Sequence, residues 1–85
     1  MNIVDLLQSP EKHIELMMSS VNYINSRLDT FYNTESERID IQRNKEYLEI
    51  MLSKKFILEN IKQEQLSSIN EAIDKASSVL IDNQQ

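Results

Sequence analysis

His13 is the single histidine of the chain, and Glu46 with Glu49 form a carboxylate pair at i, i+3. These are the residues whose type and spacing come nearest to reactive chemistry. A histidine acting as base needs a nucleophile to deprotonate and an acid to orient it. The sequence points to neither. His13 sits in the first turn of a predicted helix beside Ile14, where it reads as a surface or cap-packing residue. A carboxylate pair can enter a di-metal site when other helices bring Glu-x-x-His motifs. This sequence has none, so Glu46 and Glu49 read as a solvated face. HExxH, EF-hand, Walker, GxSxG and Gly-rich dinucleotide patterns are likewise missing from it. With no cysteine there is no disulfide, no thiolate nucleophile and no zinc site built on sulfur. The expectation is a non-enzyme, with no catalytic residue, metal, cofactor or small-molecule substrate.

The elements that carry these residues are read from two features. The 85 residues include no glycine and one proline, so tight turns at positive φ and Gly-rich ligand loops have no supply of suitable residues. The apolar residues recur at spacings of three and four, the helical period. The fold class predicted is all-α: three to four helices in a hairpin or small bundle with coiled-coil-like seams, as one domain over 1–85. The helices are expected at about 3–8, 10–32, 35–55 and 60–81.

A short apolar run over 3–8 stops at Ser9-Pro10, where Ser9 is an N-cap and Pro10 the first helical residue. The next seam is Ile14, Met17, Val21, Ile24, Leu28 and Phe31, widened by Met18 and Tyr32. Thr34 and Glu37 form a capping box, and Asn33 is placed to close the preceding helix in the left-handed conformation. A third seam follows at Ile41, Asn44, Leu48 and Met51. The run Phe56-Ile57-Leu58 fits no single helical face, so 53–60 reads as a bend or short connection with Asn60 capping the last helix, a continuous helix being the alternative. That helix carries Leu66, Ile69, Ile73, Ala76 and Leu80.

Charge narrows the partners. The formal net charge is −5, whereas phosphate binding needs a net basic face. Basic residues between Arg38 and Lys62 alternate with acids, which fits a solvated or interface rim rather than a nucleic-acid stripe. The stretch Met1-Asn2-Ile3-Val4-Asp5-Leu6-Leu7 has no basic n-region and is too short to span a membrane. No direct nucleic-acid contact and no membrane insertion are expected.

Once each helix buries one seam, Leu16, Tyr23, Ile39, Tyr47 and Ile50 remain without an obvious place. A second stripe holding two tyrosines is the composition of a contact surface. The competing reading is that each helix of a three-helix bundle buries a wide face that takes these residues in. Asn44 joins this set in one of two ways. A seam amide can pair with its own copy and fix register, or it can face water where the seam frays. The candidate protein-interaction residues are therefore Leu16, Tyr23, Ile39, Asn44, Tyr47 and Ile50.

The segment Arg43-Asn44-Lys45-Glu46-Tyr47-Leu48-Glu49-Ile50-Met51-Leu52-Ser53-Lys54, followed by Leu66, Ile69, Ala72 and Ile73, resembles a pattern in short phage-encoded helical proteins of unassigned role. That pattern is R-N-x-x-x-L-E-x-M-L-x-K, a variable link, then L-x-x-I-x-x-A-I, and the match covers about residues 43–76. Most such proteins carry alanine or glycine near the final helix where Ser77 and Ser78 stand here. The resemblance implies two paired helices and a phage origin. Abundant Ile, Asn, Lys and Glu, the mark of an AT-rich genome, agree with that origin. The expected function is a helical assembly protein that packs on itself or on a larger protein, located in the host cytoplasm or the virion. The alternative is a small acidic inhibitor or adaptor of a host enzyme, with carboxylates standing in for nucleic acid.

Overall fold

The computed structural model describes residues 9–82. Four helices occupy them: α1 (Pro10–Asp29), α2 (Glu35–Leu52), α3 (Lys55–Leu58) and α4 (Gln63–Asp82). The chain is all-α, and each of the three long helices packs against the other two. The helix expected over 3–8 lies outside the described residues.

α1 begins as its sequence dictates. Ser9 takes an extended conformation, its Oγ accepts from the Lys12 N–H, and Pro10 opens the helix with no N–H to leave unsatisfied. α2 begins on the expected capping box. Thr34 Oγ1 accepts from the Glu37 N–H at 3.2 Å, and the Glu37 carboxylate accepts from the Thr34 N–H at 3.0 Å. Thr34→Ala is expected to cost about 1 kcal/mol, read from a chemical-denaturation midpoint.

The chain between these helices departs from expectation. α1 ends at Asp29 rather than at 32, because Glu37 reaches past Thr34 to accept from the Tyr32 N–H at 3.1 Å. That bond takes the Tyr32 amide out of helical pairing and leaves its side chain 81% exposed instead of on the seam. Asn33 does adopt the left-handed conformation, with φ of 60°, but within the linker and not at a helix end. Arg38 fixes it there by donating to the Asn33 carbonyl and to its Oδ1 at 3.2 and 3.0 Å.

The seams of the three long helices close on one another to form the core, with Ala72 buried where the spacing puts Ile73. Ile14, Met17, Val21 and Ile24 of α1 meet Ile41, Leu48 and Met51 of α2 and Ile69, Ala72, Ala76 and Leu80 of α4. Tyr23 contacts Asp40 toward one end and His13 contacts Phe56 toward the other, so α1 and α2 run antiparallel. The cleft between α1 and α4 holds Glu11 and Met18 beside Lys62 and Gln65, so α4 runs alongside α1 in the same direction.

The bend at 53–60 is more structured than its sequence implies. α2 ends at Leu52, three residues before the expected limit, and Lys55–Leu58 forms one helical turn of its own. Ile57 of that turn is 0% exposed and closes the end of the bundle, while Phe56 and Leu58 face outward. Asn60 does not cap α4. Its Nδ2 donates back to the Phe56 carbonyl at 2.7 Å, and α4 starts later, with the Lys62 N–H held by Gln65 Oε1 at 3.0 Å.

Candidate protein-interaction site

Four of the six residues expected at a contact surface converge. Leu16 and Tyr23 stand one heptad apart on α1, and Asn44 and Tyr47 stand at i, i+3 on α2. Antiparallel packing brings the two pairs face to face across an open groove of about 480 Å³, floored and edged by Ser19 and Ser20. The serines matter because they are small. They leave the groove open where larger side chains would fill it.

The two tyrosines are held differently. The Tyr23 hydroxyl donates to Asp40 Oδ2 at 3.1 Å and accepts from Arg27 Nε at 3.2 Å, which ties α1 to α2. The Arg27 guanidinium also lies 5.6 Å from the Tyr23 ring centroid. These contacts, led by the hydrogen bond to Tyr23, push the Arg27 pKa up and hold the side chain cationic. Tyr47 packs against the core, and burial raises its phenol above the ordinary range, so it is neutral at physiological pH.

Asn44 is half-buried on the groove wall, not part of the buried seam that runs through Ile41, Leu48 and Met51. Its Nδ2 donates to the Asp40 carbonyl of its own helix at 2.9 Å. The other two expected residues lie elsewhere. Ile39 lines the cleft between α2 and α4 beside Leu80, and Ile50 is 56% exposed one turn beyond Tyr47 on the outer rim.

No aspartate, glutamate, lysine, arginine or histidine lines this groove. The neighbouring clefts differ. The α2–α4 cleft carries Glu35, Arg38, Arg43 and Glu46, and the α1–α4 cleft carries Glu11, Glu15 and Lys62. In a chain with 27% charged residues, an uncharged open groove rimmed by Leu16 at 49% exposure is the surface best suited to an apolar contact.

The residues nearest to chemistry are engaged in structure. Glu46 accepts from Gln42 Nε2 at 2.6 Å, while Glu49 pairs with Lys45 at 3.3 Å. His13 meets Phe56 edge to face, with ring centroids 5.6 Å apart. Among the described residues no group of three or more His, Cys, Asp or Glu is placed to hold a metal ion. Sequence reasoning missed Ser19, Ser20 and Phe56. Helical spacing from Leu16 and Tyr23 could have flagged the serines, but nothing in the sequence marks which two helices pair. No family model, curated protein or solved structure matches this chain.

Proposed function

We propose that this chain is a non-enzymatic protein–protein interaction protein whose contact face is the α1–α2 groove, and that it serves as a small phage structural or assembly component. The observation that carries the reading is the groove itself. Leu16, Tyr23 and Tyr47 present apolar and aromatic surface there with no charge to desolvate. Its openness suits a partner's side chains better than a small molecule, which a binding pocket encloses on most sides. The phage assignment rests on the sequence resemblance over residues 43–76 and on composition. It places the protein in the host cytoplasm or the virion, in contact with its own copies or with a larger structural protein.

The acidic-inhibitor reading has less support. Glu49, Glu59 and Glu71 each sit at i, i+4 with a lysine, and Glu37 and Asp40 hold the α1–α2 junction. That leaves the acidic surplus scattered. Among the described residues no helix is long and apolar enough to cross a membrane.

Leu16→Asp is expected to weaken association by about 2 kcal/mol or more, roughly thirtyfold in Kd, without unfolding the bundle. Ile81→Asp, at an exposed site away from the groove, should leave association unchanged. Sedimentation equilibrium and recovery of the chain with assembled particles are the measurements. A strict monomer that never accompanies particles or a larger protein overturns the reading.

A further inference from the structure

The two ends of the bundle carry unlike faces. α3 closes one end by burying Ile57, which turns Phe56 and Leu58 outward at 36% and 51% exposure. Lys54 and Lys55 lead into the same turn. The one acid of this connection, Glu59, meets Lys55 at 3.8 Å across exposed side chains. Such a pair is worth little and exchanges readily for another. Glu11 and Glu64, in the first turns of the neighbouring helices, are offset by Lys12 and Lys62. In a chain of net charge −5, this end is apolar with a cationic border.

Because α1 and α2 run antiparallel, the linker between them forms the opposite end. Tyr32 stands out from it at 81% exposure, since Glu37 takes its N–H out of the helix. Asp29 and Glu35 flank the tyrosine, both exposed and neither ion-paired among the described residues. The nearest arginines are engaged elsewhere, Arg27 on Tyr23 and Arg38 on Asn33. An exposed aromatic between carboxylates thus faces one way along the bundle, and two apolar side chains beside lysines face the other.

We propose that copies of this chain stack end to end, with Phe56 and Leu58 of one copy against Tyr32 of the next. Lys54 and Lys55 then meet Asp29 and Glu35 across the joint. Charge selects this pairing over its alternatives. Two α3 ends would bring lysines together and two linker ends would bring carboxylates together, so only unlike ends attract. A heterologous contact of this kind does not close on a pair but repeats into a row. Area sets its strength. The bundle's cross-section is 26 × 19 Å, so an end offers roughly 500 Å², short of the ~800 Å² per partner of a standard interface. Each joint is weak alone and gains where other contacts tie neighbouring rows. The stacking uses no residue of the α1–α2 groove and stands apart from the reading of that surface.

In a Leu16→Asp background, which removes the groove contact, weak joints populate at about 1 mM protein. Small-angle X-ray scattering should then show the long dimension growing from the 45 Å of one bundle toward about twice that, with the width unchanged. Lys54→Glu/Lys55→Glu and Asp29→Lys/Glu35→Lys should each weaken stacking about tenfold, because each makes the two ends alike in charge. Mixed in equal amounts, the two variants should stack again, reversed end on reversed end and parental end on parental end. Leu58→Ala gives a readout with no change of charge and should weaken stacking about fivefold. No growth at this concentration, growth in width, indifference to these substitutions, or a mixture that fails to recover overturns the proposal. The groove reading is judged separately, by whether Leu16→Asp weakens association in the otherwise parental chain.

Discussion

Ile57→Ala is expected to lower the unfolding free energy by about 2–5 kcal/mol, a large part of what a domain of this size commands. The residue is 0% exposed, yet it belongs to a helix of four residues that makes little stability by itself. Its contribution comes from plugging the end of the bundle, where α3 packs against both α1 and α2. The backbone around it is braced to hold the plug in place. The Ile57 N–H donates to the Lys54 carbonyl at 3.1 Å, and the Ile57 carbonyl accepts from the Ile61 N–H at 2.9 Å. Truncation therefore leaves a cavity that the turn cannot relax to fill. Urea titration should show a lower midpoint with an unchanged slope, the sign of lost packing within a two-state fold. Leu58→Ala, one residue on and 51% exposed, should stay within about 0.5 kcal/mol of the parent. If the two variants lose equal stability, 53–60 is only a connection and the end of the bundle is held by something else.

That pair of variants also marks where the sequence stops being legible. Long seams announce themselves because each repeat confirms the last, and Ile14 through Ile24 or Ile41 through Met51 could be placed from spacing alone. Ile57 could not. Within Phe56-Ile57-Leu58 no period exists to say which of the three faces inward, and burial is decided by how α3 crosses the bundle end. Ala72 escaped for a related reason. The large Ile73 beside it dominates the pattern, yet in the structure Ala72 is buried while Ile73 sits on the flank. Tyr32 was misplaced because a periodic extrapolation cannot see the Glu37 carboxylate that draws the Tyr32 N–H out of the helix.

The candidate groove was half legible. Surplus apolar residues pointed to Leu16, Tyr23 and Tyr47, since a side chain off the seam needs some other contact. Asn44, left between pairing across a seam and facing water, is half-buried and forms part of the groove wall. Ile39 and Ile50 were grouped with the others, but they are eleven residues apart on an outward stripe of α2 and do not line the same groove. Pairing of α1 with α2 is a tertiary fact. No property of either helix sequence encodes it until the capping box between them sets their direction.

That junction supplies the second large effect. Among the described residues Glu37 is the one charged side chain that is buried, and its carboxylate gathers the N–H groups of Tyr32 and Thr34 and the Thr34 hydroxyl. Hydrogen bonding, first from the Thr34 backbone, outweighs desolvation and holds the Glu37 pKa below the usual carboxylate range. An unfolded chain returns this group to about 4.3, so the folded state binds its proton less readily than the unfolded one. The resulting stabilisation is complete at neutral pH and is lost as pH falls through the depressed folded value. Glu37→Ala should therefore destabilise more than Thr34→Ala, because it strips acceptors from two backbone donors at once and frees the α1–α2 linker. Glu37→Gln is the sharper probe. It keeps one acceptor oxygen but cannot titrate, so the gap in Tm between parent and variant should be widest near pH 7 and shrink on acidification below about pH 4.3. Other carboxylates contribute equally to both chains and drop out of that difference. A gap that stays constant across the acid range would mean that Glu37 is charged no more readily in the bundle than in the unfolded chain. In that case the charge of Glu37 would add no net stability to the junction, and the placement of Tyr23 opposite Asp40 would rest on its other hydrogen bonds and on packing.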